Sequence, residues 1–278
     1  MRQRKYDSLR WFFAKRSVWF CLFLLAVLVI FCLLAPVLAP YDPNKVDITA
    51  KFKGISLQHL MGTDYLGRDI FSRVLWGGRN TMGYAAFVTA ISAVIGTCLG
   101  MISGYAGGYV DGVLMKASDV LRAFPGIVLV LIVVSIRGVG IVSVCAAMLF
   151  TRWIWYARMA RNLTRSETAR TFVMASRLAG SGWLKILRRH ILPSILPEML
   201  PVLVIDFGSA LLAISGYSFL GLGILPPEAE WGMMINDGRN YMEHPEMMLW
   251  PGLCVVAVVI SANYLGDRFR DLLEEKRS

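Results

Sequence analysis

Met174-Ala175-Ser176-Arg177-Leu178-Ala179-Gly180, followed by His190-Ile191-Leu192-Pro193, lies in a basic segment between two long apolar runs. Glu167 to Leu178 and Ser181 to Leu192 are compatible with helix. Gly180 and Gly182 interrupt them, and Pro193 and Pro197 are expected to end the second. Two short helices joined at glycine form a compact projection. Small Ala175, Ser176 and Ala179 allow a partner to approach closely, and Arg177, Arg188 and Arg189 are placed to pair with acidic groups or lipid phosphate. The plainer reading of the same residues is a basic loop lying on anionic lipid.

Outward from this segment the chain is strongly apolar. Hydrophobic residues make up 56% and charged residues 17%, with a mean hydropathy of +0.56. A soluble domain carries about a quarter charged residues. The apolar residues fall in blocks, some reaching the roughly 20 residues that cross a ~30 Å hydrocarbon core. Such blocks belong in helices, which satisfy their own backbone hydrogen bonds in lipid. The expected fold is therefore all-α and polytopic. The net charge of +10 does not indicate nucleic acid, because Lys and Arg flank the apolar blocks as the positive-inside rule expects. Cys21, Cys32, Cys98, Cys145 and Cys254 sit in or beside apolar runs without a Cys-x-x-Cys pair, and read as small helix-packing residues.

Six spans are expected, at 18–39, 81–103, 117–137, 139–158, 201–222 and 248–266. The first is too long for the apolar part of a signal peptide and reads as a retained helix. The segments are then 1–17, the first span 18–39, a loop 40–80, a core 81–266 containing the basic segment 159–200, and a tail 267–278. Arg2, Arg4, Lys5, Arg10, Lys15 and Arg16 at the N-terminus fall on the same side as the 158–190 cluster, which places both termini in the cytoplasm. The last outer loop is acidic, with Glu228, Glu230, Asp237, Glu243 and Glu246 against Arg239. The 40–80 loop resists, since it holds Lys45, Lys51, Lys53, Arg68, Arg73 and Arg79 against Asp42, Asp47, Asp64 and Asp69. It is kept outside because moving it would invert the more basic segment.

Gly-x-x-x-Gly at Gly96/Gly100 and Gly100/Gly104 permits close helix packing but is weak as a dimer signal. Arg152 and Asp206 fall inside spans, where charge is costly unless paired or wetted. They read as a lining of the transport path or an inter-subunit pair, or as side chains reaching the interface. Of the three histidines, His59 and His244 lie in outer loops and His190 in the basic segment. Met233, Met234, Asp237 and His244 are candidates for the outer mouth. No residue set is singled out as a metal site. No phosphate loop, His-Glu-x-x-His or Gly-x-Ser-x-Gly motif occurs, so ATP hydrolysis and hydrolase chemistry are not expected of this chain.

The opening segment resembles the loop by which permease subunits of binding-protein-dependent ABC importers engage their ATPase: Glu-Ala-Ala, three residues, Gly, nine residues, Ile-x-Leu-Pro. Ala175, Gly180, Leu192 and Pro193 match, while Met174, Ser176 and His190 stand where that family has Glu, Ala and Ile. The stretch Gly62-Thr63-Asp64-Tyr65-Leu66-Gly67-Arg68-Asp69-Ile70-Phe71-Ser72-Arg73 resembles the signature of the second permease in the nickel/peptide group. So do Ala35-Pro36, Tyr41-Asp42-Pro43, Ala123-Phe124-Pro125, Phe219-Leu220-Gly221-Leu222-Gly223 and Glu230-Trp231-Gly232. Trp155-Tyr156-Ala157-Arg158-Met159 and Trp231 to Asp237 are most similar to the nickel and opine–metal branch.

The resemblance implies a type I importer permease fold in a bacterial inner membrane, forming one half of a heterodimeric pore. It implies a second permease, two ABC ATPase subunits and an extracytoplasmic solute-binding protein as partners. ATP and Mg would be bound by those ATPases, with no cofactor on this chain. The cargo implied is nickel or a metal chelate. A dipeptide or oligopeptide permease is the alternative within the class, and an ion-coupled secondary transporter is the alternative outside it.

Overall fold

The computed structural model describes residues 15–275; Arg2, Arg4, Lys5, Arg10 and the last three residues of the expected tail lie outside that range. The apolar blocks form helices, and no β-strand forms among the described residues. In chain order, α1 is Arg16–Leu33, α2 Ile70–Ala106, α3 Gly108–Arg122, α4 Gly126–Arg137 and α5 Ile141–Thr168. Then follow α6 Thr171–Leu178, α7 Leu192–Phe219, α8 Trp231–Gly238 and α9 Glu246–Glu275. Trp183–Ile186 and a π turn at Leu187–Ile191 lead directly into α7.

Four helical stretches are long and apolar enough to cross a membrane: Arg16–Leu33, Ile70–Ala106, Trp183–Phe219 and Glu246–Glu275. The expected spans differ from these in three places. The third, 117–137, is broken: α3 and α4 meet at 83°, where Pro125 forces the residue before it out of helical geometry. The fourth, 139–158, lies on α5, whose Arg152 and Arg158 keep it out of the apolar set. The second begins earlier than expected, because Asp69 caps α2 by accepting a hydrogen bond from the Ser72 amide. That capping draws 70–80 out of the expected loop and into helix.

Helix register shows how the chain threads. A Cβ on Gly96, Gly100 or Gly104 would collide with the backbone carbonyl oxygen of Trp153, Ala157 or Arg161, respectively. Both residue numbers rise together, so α2 and α5 run parallel. Parallel neighbours require a return between them, and the bent pair α3–α4 supplies it. The glycine spacing is thus used for packing within this chain. By contrast α7 and α9 run antiparallel, with Gly208 against Ala262 and Gly266 against Ile205. One end of the bundle consequently gathers Ser17, Tyr105, Arg161, His190 and Tyr264, and the other gathers the 34–69 segment, Gly140 and the 220–246 segment.

Apolar side chains also cover the outside. Phe20, Phe23, Val94, Phe150, Leu212 and Ile260 are all exposed. A surface of that kind is unfavourable in water and neutral against lipid tails. The five cysteines are free thiols.

At the far end the chain folds a lobe from charged residues. Gly67 takes φ +71°, and a Cβ there would overlap the Asp47 carbonyl oxygen, so glycine is required. The turn it makes lets Asp64 accept from the amides of Leu66 and Arg68, each at 2.9 Å, and from Arg68 Nε at 2.6 Å. Arg73 Nε lies 3.7 Å from the same carboxylate. Arg68 and Arg73 are buried and neutralised within the lobe. Of the six cations that make this loop resist the orientation rule, two are therefore spent on internal pairs.

Candidate functional site

At the near end, α6 and the turn after it project from the bundle. Gly180 has φ +79°, a conformation that costs an L residue with a Cβ about 1–2 kcal/mol. One face of this projection is fixed. Val173, Ile186, Leu187 and Ile191 are buried against Met101, Tyr156 and Ala160. The other face is open, with Phe172, Met174, Trp183 and Leu184 exposed and Leu178 89% exposed. Arg177, Lys185, Arg188 and Arg189 are exposed around it. Such an apolar tip ringed by cations has the composition of a docking knob.

The sequence-derived residues separate by position. Met174, Ala175 and Gly180 are exposed on the projection. Ser176 Oγ and His190 Nε2 are 3.4 Å apart, and His190 packs edge-on against Phe172. Leu192 and Pro193 belong to the first turn of α7 and not to the tip. Pro193 does not end the helix, contrary to expectation. Pro193 directly follows the π turn at Leu187–Ile191, where the regular helical ladder is already interrupted, and α7 continues through Pro197 and Pro201 to Phe219. One residue absent from the sequence-derived set, Tyr105, anchors the projection: Arg177 lies over its ring, 4.9 Å from the centroid.

Above this, Arg152 and Asp206 meet. Arg152 Nη1 donates to Asp206 Oδ1, and Tyr156 Oη donates to Asp206 Oδ2 at 2.9 Å. The sequence places Tyr156 only in the stretch from Trp155 to Met159; the signal for this contact is its position four residues beyond Arg152 on one helix face. Beside the pair is a cleft of about 580 Å³ whose walls include Trp155, Met159, Asp206, Ser209 and Glu274. The two charged side chains keep 18% and 17% of their surface exposed.

The outer-mouth candidates do not converge. Met234 is buried in the core. Met233 is half-buried, and its amide donates to Glu230, the cap of α8. His244 stacks on Phe52 with ring centroids 4.0 Å apart, and its Nδ1 is 3.3 Å from Glu246. Asp237 joins the lobe instead, 3.3 Å from Arg68 Nη2. Burial pushes its carboxyl above the usual range, and the guanidinium groups of Arg68 and Arg73 offset that only in part. Among the described residues, no three His, Cys, Asp or Glu side chains are grouped to hold a metal ion. Glu230-Trp231-Gly232 has a structural role: Glu230 accepts from Thr81 Oγ1 at 2.9 Å, and Trp231 Nε1 donates to the Val74 carbonyl at 2.9 Å.

Residues 96–278 match the family of binding-protein-dependent transport system inner membrane components. The chain belongs to that family. Residues 6–58 match the N-terminal TM domain of oligopeptide transport permease C. The nickel transport system permease protein NikC of Escherichia coli (strain K12) is 38% identical over 268 residues, covering 96% of this chain and 95% of NikC. The metal-staphylopine import system permease protein CntC of Staphylococcus aureus (strain Mu50 / ATCC 700699) is 40% identical over 258 residues, covering 91% and 89%. The fold is that of type I importer permeases. A chain of the MetNI methionine ABC transporter, in an inward facing conformation, superposes with a TM-score of 0.50 at 21% identity over 71% of this chain and 97% of its own. This permease is thus a multi-pass inner-membrane subunit of an ABC transporter.

Proposed function

We propose that this permease carries nickel or a metal chelate inward as one half of a heterodimeric pore. The observation that supports this is similarity along nearly the whole length to both a nickel permease and a metal-staphylopine permease. In this reading the projection from Thr171 to Ile191 docks in a groove on an ATPase subunit that binds ATP and Mg. A second permease completes the pore, and an extracytoplasmic binding protein delivers cargo to the opposite end. The basic end faces the cytoplasm, with both termini. Met233, Met234, Asp237 and His244 mark the region of the outer mouth. The permease does no chemistry itself. ATP and the loaded binding protein each favour one conformation, and cargo is released when the favoured state changes.

The match of residues 6–58 to an oligopeptide permease domain supports a second reading, in which the cargo is a short peptide. Deleting the coding sequence separates the two. Loss of cellular nickel, or of another divalent metal supplied free or chelated, is the expected result. Unchanged metal content together with lost uptake of labelled dipeptide would replace the first reading by the second.

A further inference from the structure

The projection that docks the ATPase is the connection between α5 and α7. A displacement of the tip therefore acts first on these two helices. Their tightest glycine contacts differ: α5 runs along α2 through Gly96, Gly100 and Gly104, and α7 runs along α9 through Gly208 and Gly266, while α7 also packs against α2. Between α5 and α7 themselves the polar tie is Asp206, which accepts from Arg152 on one oxygen and from Tyr156 on the other. Asp206 is also a wall of the cleft of about 580 Å³, whereas Arg152 is not. The carboxylate thus sits between a tethered cation on α5 and an open space that α5, α7 and α9 enclose. Met159, Glu198 and the ion pair of Arg270 with Glu274 line the same space.

A charge in an apolar helix is held at low cost only while it is paired or wet. Exchanging one counter-ion of Asp206 for another keeps the carboxylate neutralised, so exchange is far cheaper than simple separation. Resting on the importer reading above, we propose that Arg152 is a built-in competitor for cargo. A positive centre entering the cleft, as a divalent metal ion or an ammonium group of a chelate, takes over Asp206 and releases α5 from α7. Cargo then favours the state in which the two helices at the root of the projection move apart. Asp206 is the group that meets cargo. Arg152 and Tyr156 are positioning residues that act through it.

The test uses the whole complex, with both permeases, the ATPases and the binding protein, reconstituted in liposomes. ATP hydrolysis is read at constant Mg²⁺ against increasing Ni²⁺, and separately against a nickel chelate, to tell the two sources of charge apart. Couplings of this kind span about 5- to 150-fold. Arg152→Gln is expected to raise hydrolysis without cargo and to cut the stimulation by cargo at least about fivefold. Asp206→Asn is expected to abolish stimulation. The reversed pair, Arg152→Asp with Asp206→Arg, keeps the tie but presents a cation to the cleft, and is expected to remain unstimulated. Restoration of stimulation by the reversed pair would overturn the proposal, because a purely structural tie is indifferent to its polarity. Arg152→Lys, a weaker competitor that preserves charge, is expected to lower the cargo concentration at half-stimulation. An unchanged value would also overturn the proposal, even if the reversed pair failed to assemble. If wild-type complex responds to a dipeptide and not to metal, the cargo reading fails. The reversed pair then tests the same exchange against the peptide ammonium group.

Discussion

His190 packs edge-on against Phe172, with ring centroids 5.9 Å apart and planes at 61°. The contact closes the projection, because Phe172 is on α6 and His190 is in the π turn that leads back to the bundle. Ser176 adds a polar contact at 3.4 Å to the same imidazole. Aromatic pairs of this kind contribute about 0.5–1.5 kcal/mol beyond their buried area. In His190→Ala the tip is expected to loosen while the bundle remains folded. Limited trypsin digestion should cleave faster at Arg177 or Lys185, and uptake should fall several-fold. Unaltered cleavage and uptake would show that the buried face, Val173 to Ile191, holds the tip unaided.

Gly180 separates two effects that are often confounded. A Cβ there meets nothing within 4 Å, but its φ is +79°. Strain, not crowding, is therefore the penalty. Gly180→Asn is expected to keep near-normal uptake, since Asn tolerates this conformation. Gly180→Val is expected to reduce uptake and cargo-stimulated ATP hydrolysis markedly with unchanged membrane insertion. Equal activity of the two variants would remove the conformational argument.

Along α2 the opposite test applies. Gly100→Leu drives a side chain into the Ala157 backbone and should cost about 3 kcal/mol or more. Gly83, with nothing within 4 Å of a Cβ, should accept Leu freely. Thermal unfolding in detergent is expected to drop sharply for the first and not for the second. Similar midpoints would mean that α2 and α5 can separate at little cost.

Asp237 gives a pH dependence of definite sign. Its carboxyl is raised by burial, so the folded protein binds that proton more tightly than the unfolded chain. Stability from this group is fully present below the unfolded value of about 4 and falls as pH rises towards the higher folded value. Asp237→Asn removes that loss and keeps an oxygen near Arg68, which retains Asp64 at 2.6 Å. At pH 7 the variant is expected to unfold no earlier than wild type, with a flatter profile from pH 4 to 7. Unfolding several degrees earlier would show that the Arg68 ion pair outweighs the burial cost.

Orientation is open to labelling. Cysteines introduced at Lys51 and Glu243, both exposed at the far end, are expected to react with an impermeant reagent in intact cells. One at Arg165, at the end that carries the projection, should not react. The reverse pattern would invert the proposed topology.

How much of the site was legible varied with distance along the chain. The projecting helix, its glycine and its basic rim were read from one stretch, because its signals lie within about 25 residues of each other. Arg152 and Asp206 were each suspected for being charged in apolar runs, but their pairing, across 54 positions, was not legible. The outer methionines do not share a face, because consecutive residues of a short helix point different ways: Met234 enters the core while Met233 stays near its surface. Arg68 looked like one more troublesome cation in an outer loop until its partners, Asp64 and Asp237, were in place.

Block length, cation distribution and motif spacing thus sufficed for an all-α polytopic permease with an exposed basic projection. Hydrocarbon thickness and the positive-inside rule act on local windows, so local sequence carries their signal. The break at Pro125, the parallel register of α2 and α5, the tie at Asp206 and the internal neutralisation of Arg68 were decided only by the tertiary structure. Each depends on which helix face meets which neighbour, and Arg68 and Asp237 lie 169 positions apart. Side chains that distant become neighbours only once the bundle has closed, since whether a buried charge is paired is a property of its surroundings and not of its place in the chain.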